Sequence, residues 1–262
     1  MTSQGINTDW LIIPRPRPMA RMRLFCFPYA GGGATAYWEW PERILKEVEV
    51  VLVELPGRGR KIRESLYTAM PPLIQQLVGQ ITPFLDKPFA FFGHSMGALL
   101  AFELSHSLRE REGKEPRKLY LSGREAPHIP DPREKFHLLT DKELLQKLEE
   151  LNGTPREVLQ NKELMELMLP IIRADFAMCE TYQYAPREPL SCPITVFGGA
   201  ADKNVPVSGL QEWKAHTRSQ FRLHVLPGDH FFIYQEKEKF FYLLNEDLTA
   251  LLMQEGVQVV QG

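Results

Sequence analysis

The stretch Phe89-Ala90-Phe91-Phe92-Gly93-His94-Ser95-Met96-Gly97 decides how this sequence reads. Its first four residues are apolar on both faces, as expected of a central parallel strand with helices on each side. Residues 96–110 follow Ser95 directly and carry a helical pattern. Gly93-His94-Ser95-Met96-Gly97 therefore sits where a strand turns sharply into a helix. This is the Gly-x-Ser-x-Gly pattern of a nucleophile elbow. A serine on such a turn is held in a strained backbone conformation, and side chains two positions before and after it would collide. The turn projects the hydroxyl above the sheet, and the helix N-terminus adds positive potential. Ser95 is the expected nucleophile, weighed against a structural turn serine.

Outward from the elbow, short apolar runs alternate with helical patterns. Further strands are predicted at Met22–Phe27, Val50–Leu55, Lys118–Ser122, Ile194–Phe197 and Arg222–Leu226. Helices are predicted over 71–85 and 236–254, where Leu73, Ile74, Leu77 and Ile81, and then Phe240, Phe241, Leu244 and Leu248, recur at helical spacing. Such alternation implies an α/β fold with a mostly parallel central sheet and helices on both faces. Residues 1–20, rich in proline, read as an arm or irregular cover. Between Gly123 and Pro193 about seventy residues carry helices without a clear strand. Thr140 and Glu143 form a capping box ahead of Leu144, Leu145, Leu148 and Leu151. Asn152-Gly153 can end that helix, and Thr154-Pro155 can begin another. A third pattern spans about Asn161 to Tyr182, where Pro170 is expected to kink it or split it in two. The insertion reads as a helical lid over a sheet edge, or as a second layer that only packs.

Composition narrows the functional classes. The chain has 262 residues, 44% of them hydrophobic, and suits one α/β domain better than two. Thirty-one basic against 33 acidic residues give a net charge of −2, which offers no global attraction for nucleic acid or an anionic membrane. Cys26, Cys179 and Cys192 show no metal-type spacing and no disulfide framework, and no run approaches a membrane span. A reducing, cytoplasmic setting is expected.

A nucleophilic serine needs a base, and the base an orienting acid; on a strand-to-helix elbow they follow in the order Ser, Asp/Glu, His. His230 lies after the strand Arg222–Leu226, on the same side as Ser95. His94 cannot turn its ring onto its neighbour's hydroxyl, and His216 and His224 read as surface or structural. Asp202 follows the strand Ile194–Phe197 and precedes the histidine; Asp229, adjoining His230, is poorly placed to reach its ring. Oxyanion donors are expected from the Met96 N–H and from the loop Pro28-Tyr29-Ala30-Gly31-Gly32-Gly33, with the Ala30 N–H as candidate. That loop lacks the Gly-x-Gly-x-x-Gly spacing and any Lys-Ser/Thr ending, which disfavours nucleotide binding.

Five ordered blocks then resemble the type II thioesterases of nonribosomal peptide and polyketide synthesis. They are Phe27-Pro28-Tyr29-Ala30-Gly31-Gly32, Glu54-Leu55-Pro56-Gly57-Arg58-Gly59, Phe92-Gly93-His94-Ser95-Met96-Gly97, Ser122-Gly123-Arg124 with Ala126-Pro127, and Gly228-Asp229-His230-Phe231-Phe232. The resemblance covers nearly the whole chain. It implies an α/β-hydrolase fold, one thioesterase domain over residues 1–262 with a lid at about 124–190, and a triad at Ser95, Asp202 and His230 with oxyanion amides at Ala30 and Met96. The implied activity is removal of acyl or aminoacyl groups from the phosphopantetheine arm of carrier proteins. No cofactor is expected beyond the arm the substrate carries. The expected partners are acyl and peptidyl carrier proteins, with no nucleic acid, no membrane and a monomeric enzyme.

Three details remain open at this level. Arg58, Arg60 and Lys61, in the loop after the second predicted strand, either help to dock an acidic carrier or form a solvated basic loop. Met165, Met168 and Met178 either make an adaptable acyl wall or pack the lid. Trp38 and Trp40 either shape the entrance or anchor a helix. A generic esterase or lipase for small esters, a non-catalytic hydrolase-like binding protein and a cofactor-free haloperoxidase are the competing readings.

Overall fold

The computed structural model describes residues 6–7, 9–131, 134–151, 153 and 156–258. Among them eight strands form one sheet: β1 (Ile6–Asn7), β2 (Leu11–Ile13), β3 (Met22–Phe27), β4 (Val48–Val53), β5 (Phe89–His94), β6 (Lys118–Ser122), β7 (Ile194–Gly199) and β8 (Phe221–Leu226). The order across the sheet is β1-β2-β4-β3-β5-β6-β7-β8. All neighbours from β4 to β8 run parallel, while β1 and β2 are antiparallel additions at the β4 edge.

The helices are α1 (Trp40–Arg43), α2 (Met70–Ile81), α3 (Met96–Glu112), α4 (Asp141–Leu151), α5 (Arg156–Leu159), α6 (Lys162–Glu180), α7 (Val207–Gln211), α8 (Phe232–Gln235) and α9 (Lys237–Gln258). Alternation along the strands builds two cores, because successive side chains point to opposite faces. Phe25, Phe27, Val51, Val53, Phe89 and Phe91 pack with α2 and α3 on one face. Leu24, Cys26, Val50, Leu52, Ala90 and Phe92 pack with Trp40, Phe240, Leu244 and Leu248 of α1 and α9 on the other. Trp40 is buried among Tyr37, Phe92, Phe240 and Phe241, so it anchors α1; Trp38 is exposed.

The predicted strands are all present, with ends shifted by up to two residues. The arm reading of residues 1–20 is corrected for Leu11–Ile13, which is buried and pairs with β4 through Leu11↔Val53 and Ile12↔Leu52. Three residues between Trp10 and Pro14 are too few to display an alternation, yet they cover the exposed backbone of an edge strand.

The segment between β6 and β7 carries α4, α5 and α6, as expected of a helical insertion. Thr140 and Glu143 make the reciprocal capping box: the Thr140 N–H donates to Glu143 Oε2 at 2.9 Å, and the Glu143 N–H to Thr140 Oγ1 at 3.4 Å. Asn152, Thr154 and Pro155, the expected stop and start signals, lie outside the described residues. α6 runs unbroken through Pro170, so the helix is not split there. Pro170 and Glu166 both lie on the exposed face, so the Glu166 carbonyl left without its helical donor faces water. Leu144, Leu148, Met165, Leu169 and Ile172 give this insertion a core of its own.

Candidate active site

The elbow has the geometry that its sequence demands. Ser95 adopts φ 54° and ψ −113°, and it alone among the described non-glycine residues has a positive φ. A Cβ on Gly93 would lie 2.0 Å from the Gly97 carbonyl oxygen, and one on Gly97 would lie 2.2 Å from the Phe27 carbonyl oxygen. The strained turn is held from the side: the Ser95 N–H donates to the Ser122 carbonyl of β6 at 2.7 Å. Ser95 caps α3, whose aligned peptide dipoles favour negative charge at that end.

His230 and Asp202 arrive from the loops after β8 and β7. The Asp202 carboxylate Oδ2 lies 2.7 Å from His230 Nδ1, and its Oδ1 accepts the Asn204 N–H at 2.9 Å. A carboxylate on Nδ1 fixes the proton there and leaves Nε2 with its lone pair, the tautomer that a general base needs. Asp229 bonds instead to the Phe231 N–H, at 2.9 Å. Ser95, His230, Tyr29 and Ala30 line one cavity of about 450 Å³. Its far wall comes from the insertion and includes Phe136, Leu148, Leu151, Phe176, Cys179 and Tyr182. Met96 opens α3 directly after Ser95, with its side chain buried.

His94 does not enter the cavity. It is fully buried, and its Nδ1 lies 2.9 Å from Ser122 Oγ. Burial and the neighbouring His230 hold its pKa well below the usual histidine value, so the ring stays neutral beneath the elbow.

Two groups of expected residues fall elsewhere. Arg58 is corrected: it is buried and cannot meet a carrier. Its Nη1 and Nη2 each lie 2.7 Å from the two oxygens of Asp175 on α6, and Nη1 also donates to the Gly32 carbonyl at 2.9 Å. Arg60 and Lys61 keep some exposure while pairing with Glu54 at 3.0 Å and Glu64 at 2.7 Å. The methionine wall is corrected as well. Met165 and Met168 pack in the insertion's own core and Met178 in the main core, and none of the three lines the cavity. Asp175 was missed as a partner for anything. The only signal for it is a single carboxylate within the apolar face of Ile171, Ile172, Ala174 and Met178.

The parallel sheet, the serine on its elbow and the His–Asp pair at neighbouring strand ends define an α/β hydrolase. Comparison with known proteins refines this. The thioesterase domain family matches residues 22–248. "Linear gramicidin dehydrogenase LgrE" of Brevibacillus parabrevis is 43% identical over 93% of this chain and 94% of its own length. "Gramicidin S biosynthesis protein GrsT" of Aneurinibacillus migulanus is 42% identical over 96% of this chain and 98% of its own. The solved type II thioesterase BorB from the borrelidin biosynthetic cluster superposes with a TM-score of 0.84 at 35% identity, covering 92% of this chain and 99% of that one. The chain belongs to the thioesterase family and is a thioester hydrolase. No described helix is long and apolar enough to cross a membrane, and no group of His, Cys, Asp or Glu among the described residues is arranged to hold a metal ion.

Proposed function

We propose that this thioesterase frees acyl or aminoacyl groups from the phosphopantetheine arm of carrier proteins, clearing misprimed or stalled units from a peptide or polyketide synthase. The observation that carries the catalytic part is the His230–Asp202 contact of 2.7 Å in a site whose cavity also exposes Ser95 on a strained elbow. The relatives' pathways support the carrier part, since GrsT and BorB are named for peptide and borrelidin biosynthesis. The dehydrogenase in the name of LgrE is not carried over: the glycine loop at residues 31–33 lacks dinucleotide-binding spacing, and Tyr29 and Ala30 just before it line the Ser95 cavity.

In this mechanism His230 Nε2 takes the Ser95 proton as Oγ bonds to the thioester carbonyl carbon. The oxyanion is stabilised by the Ala30 and Met96 N–H groups. The C–S bond breaks as the His230 imidazolium returns that proton to the departing sulfur, and the leaving group departs readily because a thiol's pKa of about 8.5 lies far below that of an alcohol. Water, deprotonated by His230, then cleaves acyl-Ser95 and releases the free acid. The chain works as one domain over residues 1–262 with its lid at 124–190, as a cytoplasmic monomer that needs no cofactor of its own and binds no nucleic acid. Arg60 and Lys61 remain as the carrier-docking pair.

The test is hydrolysis of a panel of acyl- and aminoacyl-loaded carrier proteins beside simple esters, with Ser95→Ala as control. Carrier thioesters are expected to be preferred, with activity lost in the variant. Retained thioester hydrolysis in Ser95→Ala would refute the assignment, and an ester preference would favour the carboxylesterase reading.

A further inference from the structure

The loop that supplies the Ala30 amide is a tight turn. The Gly32 N–H donates to the Tyr29 carbonyl at 2.8 Å, and Gly31 has φ +74°, the value of the third residue in a type II turn. Type I and type II turns differ by a flip of the central peptide, here Ala30–Gly31. What holds this peptide is a side chain of the lid. The Gly31 N–H donates to Asp175 Oδ2 at 2.8 Å, and the same carboxylate is gripped by both Nη atoms of Arg58. Arg58 also donates to the Gly32 carbonyl, so the pair clasps the turn on two sides. Ile172, one helical turn before Asp175, packs so closely that a Cβ on Gly31 would lie 2.7 Å from its Cγ1.

We infer that Asp175 is a positioning residue of the reaction: from helix α6, and held by Arg58, it clasps the Tyr29–Gly32 turn at Gly31 and thereby holds in place the Ala30 N–H that the turn carries as the oxyanion amide beside Ser95. The oxyanion site is then complete only while α6 is seated on the turn. Asp175 touches no reacting atom, and it acts on the transition state rather than on substrate binding. The Ala30 N–H belongs to the preceding Tyr29–Ala30 peptide of the same turn, so a turn released from its clasp would carry that amide out of line with the developing negative charge, where alignment matters most. The inference rests on the assignment of Ser95 as nucleophile and Ala30 as donor.

Breaking the pair by one substitution leaves a buried charge alone, which by itself destabilises a protein, so the test neutralises both partners. Two variants of similar size are compared: Arg58→Met with Asp175→Asn, which keeps a carbonyl acceptor for the Gly31 N–H, and Arg58→Met with Asp175→Leu, which does not. The probe is the butyryl thioester of N-acetylcysteamine, alongside binding of a trifluoromethyl ketone analogue that Ser95 would convert to an oxyanion adduct. The leucine variant is expected to show kcat about 10-fold or more below the asparagine variant, with KM within about twofold and analogue binding weakened in parallel with kcat. Equal kcat in two folded variants would overturn the inference. Should the leucine variant not fold, amide exchange in the wild-type protein decides: the Gly31 N–H is expected to be protected, and exchange at the rate of a free loop amide would overturn the inference. Wild-type protein inactive on every thioester, or active Ser95→Ala, would instead overturn the Ser95 reading, and the Gly31 amide would still be judged separately.

Discussion

Asp202 Oδ2 and His230 Nδ1 meet at 2.7 Å across the ends of two adjacent parallel strands, β7 and β8. The contact makes the carboxylate an acceptor for Nδ1–H and leaves the Nε2 lone pair for the proposed role of base towards Ser95. Asp202→Asn preserves the shape but offers an N–H₂ group that favours the wrong tautomer. A fall in kcat of roughly 10³–10⁴-fold is expected, with KM nearly unchanged. Steady-state kinetics on a small acyl thioester measures it, and a loss below tenfold would show that another group orients the ring.

The cavity wall predicts which side chains set acyl length. Phe176 lines the cavity and meets Phe136 edge-on, with ring centroids 5.2 Å apart. Phe176→Ala lengthens the chamber on the lid side, so the preferred acyl chain should shift to longer members of a thioester series. Met165→Leu exchanges residues of similar volume in the lid's own core, at a cost below about 1.5 kcal/mol, and should leave the profile alone. The opposite pattern would restore the methionines as the acyl wall.

Acid stability follows from two buried histidines. His106 accepts a hydrogen bond from Arg109 at 3.0 Å, and burial pushes its pKa down to about 3. Burial and His128 bring His216 down to about 4. Unfolded chains protonate histidine near pH 6.5, where these folded rings stay neutral. The unfolded state therefore binds more protons below pH 6.5, and stability present above that value is lost as the pH falls towards 4 and 3. Urea midpoints between pH 7.5 and 5 should decline, and less steeply in His106→Gln, which retains an acceptor for Arg109. Parallel declines in the two proteins would exclude His106 as a source.

The proposed carrier docking rests on Arg60 and Lys61, since Arg58 is internal. Charge reversal of both to Glu should raise KM for an acidic acyl-carrier substrate several-fold at low salt, and less at high salt. Hydrolysis of the small thioester should stay within twofold. An unchanged carrier KM with a flat salt response would reduce the pair to a solvated loop.

Legibility in the sequence tracked how local each cause was. Gly93 and Gly97 announce the elbow because the steric conflict lies within five residues, and the structure shows that conflict against Gly97 and Phe27. The loops bearing Asp202 and His230 follow strands that their apolar runs mark. The edge strand Leu11–Ile13 was illegible because three residues carry no period. The two readings of the methionines, wall or packing, could not be separated because composition does not say which way a helix turns its face. The Arg58–Asp175 pair joins residues 117 positions apart, and only the packing of α6 onto the glycine turn brings them together.

The helical insertion leaves the sheet at the end of β6 and returns at the start of β7, and these strands are direct neighbours in register from Leu119↔Ile194 to Ser122↔Phe197. The intervening chain is therefore an exchangeable cassette as far as sheet assembly is concerned. Lids transplanted from relatives would redraw the acyl chamber while Ser95, Asp202 and His230 kept their supports. Compatibility would hinge on one position: a donor lid without a carboxylate in the place of Asp175 would strand the buried guanidinium of Arg58 and fail as a graft, whatever its affinity for the new acyl group.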